Sequence, residues 1–145
     1  MQRVAEHLYS IAITLWVGAL WAIGYLAAPV LFRLLDDRAL AGRVAGEMFT
    51  YVAWLGIAAA AYLLVFVALR KEGGAFRSSV FWLVLLMLLL TVAGYFGVQP
   101  ILAQLKADSF PREVMESALR DRFVAWHGVS SVVYLVQSLL GLMLV

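Results

Sequence analysis

Four stretches of the chain carry no Lys, Arg, Asp or Glu: residues 8–32, 48–69, 78–105 and 123–145. Each is long enough to cross a hydrocarbon core of about 30 Å, which takes roughly 20 apolar residues of helix. Every charged side chain lies before or between them. Backbone polar groups find no water in hydrocarbon, so a spanning segment must satisfy them internally, as a helix does. The fold expected is all-α: a polytopic membrane protein, a four-transmembrane-helix bundle forming a single domain over 1–145. Its spans are placed at about 8–32, 44–69, 79–100 and 123–145.

Composition agrees. The chain is 65% hydrophobic and 14% charged, against about 45–50% and about 25% for soluble domains. It has no cysteine, which excludes disulfides, thiolate catalysis and thiolate-ligated metals. A net charge of +2 without a basic stripe gives no reason to expect nucleic acid; the partner the sequence calls for is the lipid bilayer. The first apolar run exceeds the roughly 7–15 residues of a signal-peptide core and is read as a span, although Ala27-Ala28-Pro29 offers small residues.

The connections set the topology. The linker from Arg33 to Arg43 is short and amphipathic, and Arg70-Lys71-Glu72-Gly73-Gly74 reads as a tight hairpin with glycines for the turn. Pro100 is expected to kink the third span or mark its exit. Beyond it, the sequence still reads as helix to Lys106. Asp108-Ser109-Phe110-Pro111 reads as a turn with Ser109 as N-cap, and one helix is expected from about Pro111 into span four. Spans three and four would then rise out of the bilayer as an extended helical hairpin. Short loops make the spans alternate, so the first and third linkers share one face of the membrane. That face holds seven basic residues (Arg33, Arg38, Arg43, Lys106, Arg112, Arg120, Arg122) against four on the other (Arg3, Arg70, Lys71, Arg77). The positive-inside rule places it in the cytoplasm, and the expected location is the bacterial inner membrane.

Each span carries polar, small or aromatic residues at helical spacing. Small residues and hydroxyls serve close helix packing in lipid, and this accounts for Gly18, Ala58, Gly94, Ser138 and Gly141. Two ionisable residues, Glu47 and His127, lie a turn or so inside the spans, where such groups are costly and tend to be functional. Four span ends converge at that depth: Tyr25 on span one, Glu47 and Tyr51 on span two, Tyr95 and Gln99 on span three, His127 and Ser131 on span four. This is the pattern of a pocket in one mouth of a bundle. These seven residues are the candidate ligand-binding set, with His127 and Glu47 the candidate metal ligands. His7 begins span one on the opposite face, much of a roughly 30 Å core away, so one metal or haem iron cannot take both histidines within a subunit. No residue is assigned a catalytic role: no spacing signals a Ser-His-Asp set, a phosphate loop or an H-E-x-x-H site.

Leu15-Trp16-Val17-Gly18, Ala28-Pro29-Val30-Leu31-Phe32, Ala41-Gly42-Arg43-Val44-Ala45-Gly46-Glu47-Met48-Phe49 and Phe123-Val124-Ala125-Trp126-His127-Gly128-Val129-Ser130 occur in this order. In these segments the chain resembles a bacterial domain-of-unknown-function family related to eukaryotic transmembrane protein 205. It is similar, more distantly, to CopD-type copper-resistance domains and HemJ-type protoporphyrinogen oxidases. The resemblance implies a small helical membrane bundle, and the distant relatives imply copper or a haem or porphyrin as ligand. The first expectation for function is binding, or help in transporting, a small ligand or metal ion at the polar mouth, with no enzymatic step. The alternatives are an accessory or assembly subunit of a membrane complex or a homo-oligomer, and a haem- or porphyrin-binding redox protein.

Overall fold

Runs rich in Leu, Ala and Met favour helix, and the lack of charge lets every helical face meet either protein or lipid. The computed structural model describes residues 2–70, 74–110 and 112–145. Its described residues form helices and turns, four of the helical rods being long and apolar enough to cross a membrane. The first rod is α1 (Gln2–Trp21), a π turn (Ala22–Ala27) and α2 (Ala28–Leu34); the second is α3 (Arg38–Arg70). The third is α4 (Ser79–Val92), a π turn (Ala93–Val98) and α5 (Gln99–Ser109); the fourth is α6 (Arg120–Leu144). The chain is an integral membrane protein.

Both π turns precede a proline. A proline inside an α-helix lacks the N–H donor, and its ring collides with the carbonyl four residues back. Here the Ala28 N–H reaches back five residues to the Ile23 carbonyl, just before Pro29. The Gln99 N–H likewise reaches the Gly94 carbonyl, just before Pro100. The wider turn takes up the proline, and the third rod runs past Pro100 to Ser109 instead of ending there.

Adjacent rods are antiparallel. At one end of the bundle Glu6 pairs with Arg70, and the Tyr62 hydroxyl donates to the Ala5 carbonyl at 2.8 Å. At the other end α5 packs along α6, and Lys106 Nζ stands 5.7 Å from the centre of the Phe123 ring. The core fills the half nearer the chain termini: Trp16, Leu20, Leu63, Val84, Met87 and Ser138 are sealed from solvent. α1 shows how both faces of a span are apolar. Ile13, Trp16, Val17 and Leu20 point inward, while Leu8, Ile11 and Leu15 point out, where acyl chains take the place of protein.

Several local expectations change. Helix two begins at Arg38, more than a turn before Val44. Asp37, in the first linker, caps it: its Oδ1 accepts the Leu40 N–H at 2.9 Å. Ser109 is not an N-cap. It ends α5, and its hydroxyl donates to the Lys106 carbonyl. No continuous helix runs from there into span four: a 3-10 turn (Val114–Glu116) intervenes and α6 starts at Arg120. Ser117 shapes that junction, donating to the Val114 carbonyl and accepting the Leu119 N–H. The outward hairpin therefore has one helical arm, α5, and one irregular arm. Pro111 and Gly73 lie outside the described residues, as does most of the turn expected at 70–74.

Candidate functional site

The bundle is tied together at mid-depth. Tyr134 on α6 donates its hydroxyl to the Leu20 carbonyl at 2.6 Å, and the Trp21 indole donates to the Ser138 carbonyl at 3.3 Å. The Tyr134 ring can lie this close to span one because Gly24 has no side chain. A Cβ on Gly24 would sit 2.2 Å from a Tyr134 ring carbon. On the other side, Phe49 meets the Tyr134 ring edge-on at 5.2 Å between centres.

Beyond these ties the spans part. α2 packs on α3, and no comparable packing joins α2 to α6 among the described residues. A cavity of about 530 Å³ occupies the space, with walls from all four spans. Span one contributes Leu20, Gly24, Tyr25, Ala28, Pro29 and Phe32; α3 contributes Phe49, Val52 and Ala53. Span three contributes Leu90, Thr91, Gly94, Tyr95 and Gln99, and α6 contributes residues between His127 and Gln137. That stretch of α6 is about 15 Å long. Both π turns border the cavity, a place where such turns recur at functional sites.

The lining is apolar with polar groups at two levels. Near the linker-side mouth stand Tyr25, Tyr95, Gln99, His127, Ser130 and Ser131. The His127 ring stacks on Phe123, centres 5.8 Å apart and planes at 9°, so Lys106, Phe123 and His127 form a short column at the rim. The Ser131 hydroxyl is turned back to the His127 carbonyl. Tyr95 accepts the Trp54 indole N–H at 3.3 Å. At the inner end lie Thr91 and Gln137, both buried. Gln137 Nε2 donates to Thr91 Oγ1 at 2.6 Å, and the Thr91 hydroxyl donates to the Met87 carbonyl at 2.9 Å.

Of the seven candidates, the structure brings Tyr25, Tyr95, Gln99, His127 and Ser131 to the cavity and leaves Glu47 and Tyr51 out of its lining. Both are exposed, Tyr51 by 72%. The reason is azimuth: Phe49, Val52 and Ala53 are the α3 residues that face inward, which turns Glu47 and Tyr51 away. Glu47 thus does not join His127 as a metal ligand in the cavity. Among the described residues no group of three or more His, Asp or Glu is placed to hold a metal. His7 is exposed on α1, outside the lining. The packing glycines also differ. Gly18 and Gly94 would have open space in front of a Cβ, whereas Gly56 presses against the Trp16 indole and Gly141 against Val17.

Thr91, Tyr134 and Gln137 lie outside the seven candidates and line the cavity as well. The signal that could have found them is periodicity: Tyr134 and Gln137 continue the His127–Ser131 face of span four, and Thr91 continues the Tyr95–Gln99 face of span three, at steps of three and four. Phe49 carries no such signal. No curated protein and no solved structure matches the chain. A family does match, over residues 11–111, which takes in the first three spans and leaves α6 to complete the cavity. The chain belongs to that family, described as Domain of unknown function (DUF4149).

Proposed function

We propose that this protein holds a small, uncharged, largely apolar molecule in the cavity between its spans, reached from the membrane through the gap between the first and fourth spans. The observation that carries this reading is the cavity itself. Its volume of about 530 Å³ falls in the range of roughly 300–1,000 Å³ usual for small-molecule sites. No Lys, Arg, Asp or Glu stands among its described lining residues, so a bound ion would meet no counter-charge in a medium where unpaired charge is costly. The walls suit an apolar body, and polar groups at both ends suit a molecule with polar termini. The distant likeness to CopD-type and HemJ-type domains points instead to copper or a porphyrin. His127 is the only imidazole in the lining, so a metal there would take one nitrogen donor from the chain, and the uncharged molecule ranks first. The role requires no catalytic group, and the setting is an inner membrane that supplies lipophilic molecules.

Gly94 gives the test. It lines the cavity, and a Cβ there meets nothing within 4 Å, so the side chain of Gly94→Leu starts in open space and is expected to fill the cavity. Gly18→Leu, at an exposed position equally free of neighbours, is the control. Protein purified in native-lipid discs is extracted and the extract analysed by mass spectrometry. A small molecule enriched with wild type and Gly18→Leu, and lost from Gly94→Leu, is the expected result. Equal content in all three would overturn the reading.

A further inference from the structure

The inner end of the cavity is built to read a hydrogen-bond donor. Gln137 is 5% exposed and Thr91 is 8% exposed. Thr91 has one hydroxyl hydrogen, and it is given to the Met87 carbonyl. Its oxygen can therefore only accept from Gln137. That requirement fixes the otherwise ambiguous amide: Nε2 must face Thr91, and Oε1 must face away. Among the described residues the Trp16 indole nitrogen is the single side-chain polar atom both sealed off and unpartnered. Gln137 Oε1 has no partner, so it is not sealed; it borders open space, and the space that Gln137 lines is the cavity.

A buried amide oxygen left without a donor is costly, and a ligand that supplies one relieves that cost. No charge accompanies it: the acceptor is neutral and the walls around it are apolar and aromatic, with Tyr25, Phe49 and Tyr134 close together. We propose that the cavity selects a neutral, ring-bearing molecule that carries a hydroxyl at its leading end, bound with that hydroxyl donating to Gln137 Oε1. This rests on the cavity reading above and adds the chemistry of what fills it. Thr91 acts as a positioning residue, since its bond to Met87 is what aims the amide. Ethers and ketones of the same shape bring no donor and leave Oε1 unpaired, the kind of mismatch that polar sites reject most strongly.

The test uses two probes of nearly equal shape, 2-naphthol and 2-methoxynaphthalene, titrated calorimetrically into the full chain in nanodiscs with empty discs subtracted. Wild type is expected to bind the naphthol at least about tenfold more tightly. Gln137→Met keeps the volume and removes the acceptor; it should bring the two affinities together mainly by weakening the naphthol. Thr91→Val frees the amide to turn and should reduce the preference while Thr91→Ser keeps it, which a merely structural loss would not do. Equal affinities in wild type, or a preference that survives Gln137→Met, would overturn the proposal while leaving the cavity reading standing. Failure of both probes to bind wild type above empty discs would overturn it too, and a retained small molecule lost from Gly94→Leu would then show that the cavity reading survives on its own.

Discussion

Two positions show how a single missing side chain sets the approach of two spans. The Trp16 indole lies against Gly56, where a Cβ would come within 2.5 Å of Nε1. Trp16 is fully buried and cannot swing aside, so Gly56→Ala must push apart α1 and α3. Overpacking of this kind costs about 1–3 kcal/mol. Gly18→Ala, with open space before it, escapes that cost and, inside a helix, is expected to be neutral or stabilising by up to about 1 kcal/mol. Unfolding of both variants in mixed micelles measures the difference, and equal stabilities would contradict the close contact. Tyr134 offers a second measure. Its hydroxyl ties α6 to the Leu20 carbonyl, and interhelical hydrogen bonds in membranes average about 0.6 kcal/mol. Tyr134→Phe should lose about that much in the same assay. The further addition of Trp21→Phe removes the neighbouring tie to Ser138 and should lose a similar amount again.

Among the elements, spans were legible and their rotation was not. Charge-free length locates a helix along the membrane normal because lipid excludes charge, and the four rods fall where that rule puts them. Depth follows from the same rule, so Tyr25, Tyr95, Gln99 and His127 could be grouped as one level of the bundle. Azimuth needs contrast between faces, and the apolar residues of α3 favour no one face. Depth without azimuth puts Glu47 and Tyr51 on the inward face, which Phe49, Val52 and Ala53 take. The π turns escaped for another reason: proline signals a break, and whether the break ends the helix or is absorbed by a wider turn depends on neighbours. Asp37 was legible in type but not in place. As the cap of α3, its replacement by Ala is expected to cost about 1 kcal/mol. Hydrogen exchange should show the effect as faster exchange at Leu40 with the middle of α3 unchanged. Uniform acceleration along α3, or none at Leu40, would argue against the cap.

At the scale of the whole molecule, the two halves of the bundle differ in kind. The half near the termini is closed, with Val17 against Gly141 and Trp16 against Gly56. The half near the linkers is open, because α2 leans on α3 and leaves α6, and two proline-linked π turns re-aim the spans that border the gap. The proposed role, in which the closed half holds the fold and the open half admits a lipophile, has a measurable consequence. The chain has no cysteine, so introduced pairs report cleanly. Pro29→Cys with Ser131→Cys, joined by a flexible bis-maleimide, staples the first span to the fourth across the open half. Val17→Cys with Gly141→Cys, whose side-chain positions touch, does so across the closed half as a direct disulfide. If molecules pass between these spans, the first staple should slow exchange of a bound naphthol probe by an order of magnitude or more, and the second should leave its rate within about twofold of the reduced protein. Equal slowing by both staples would mean that global rigidity governs exchange. No slowing by the first would place the route elsewhere, through the linker-side rim where Lys106, Phe123 and His127 are stacked.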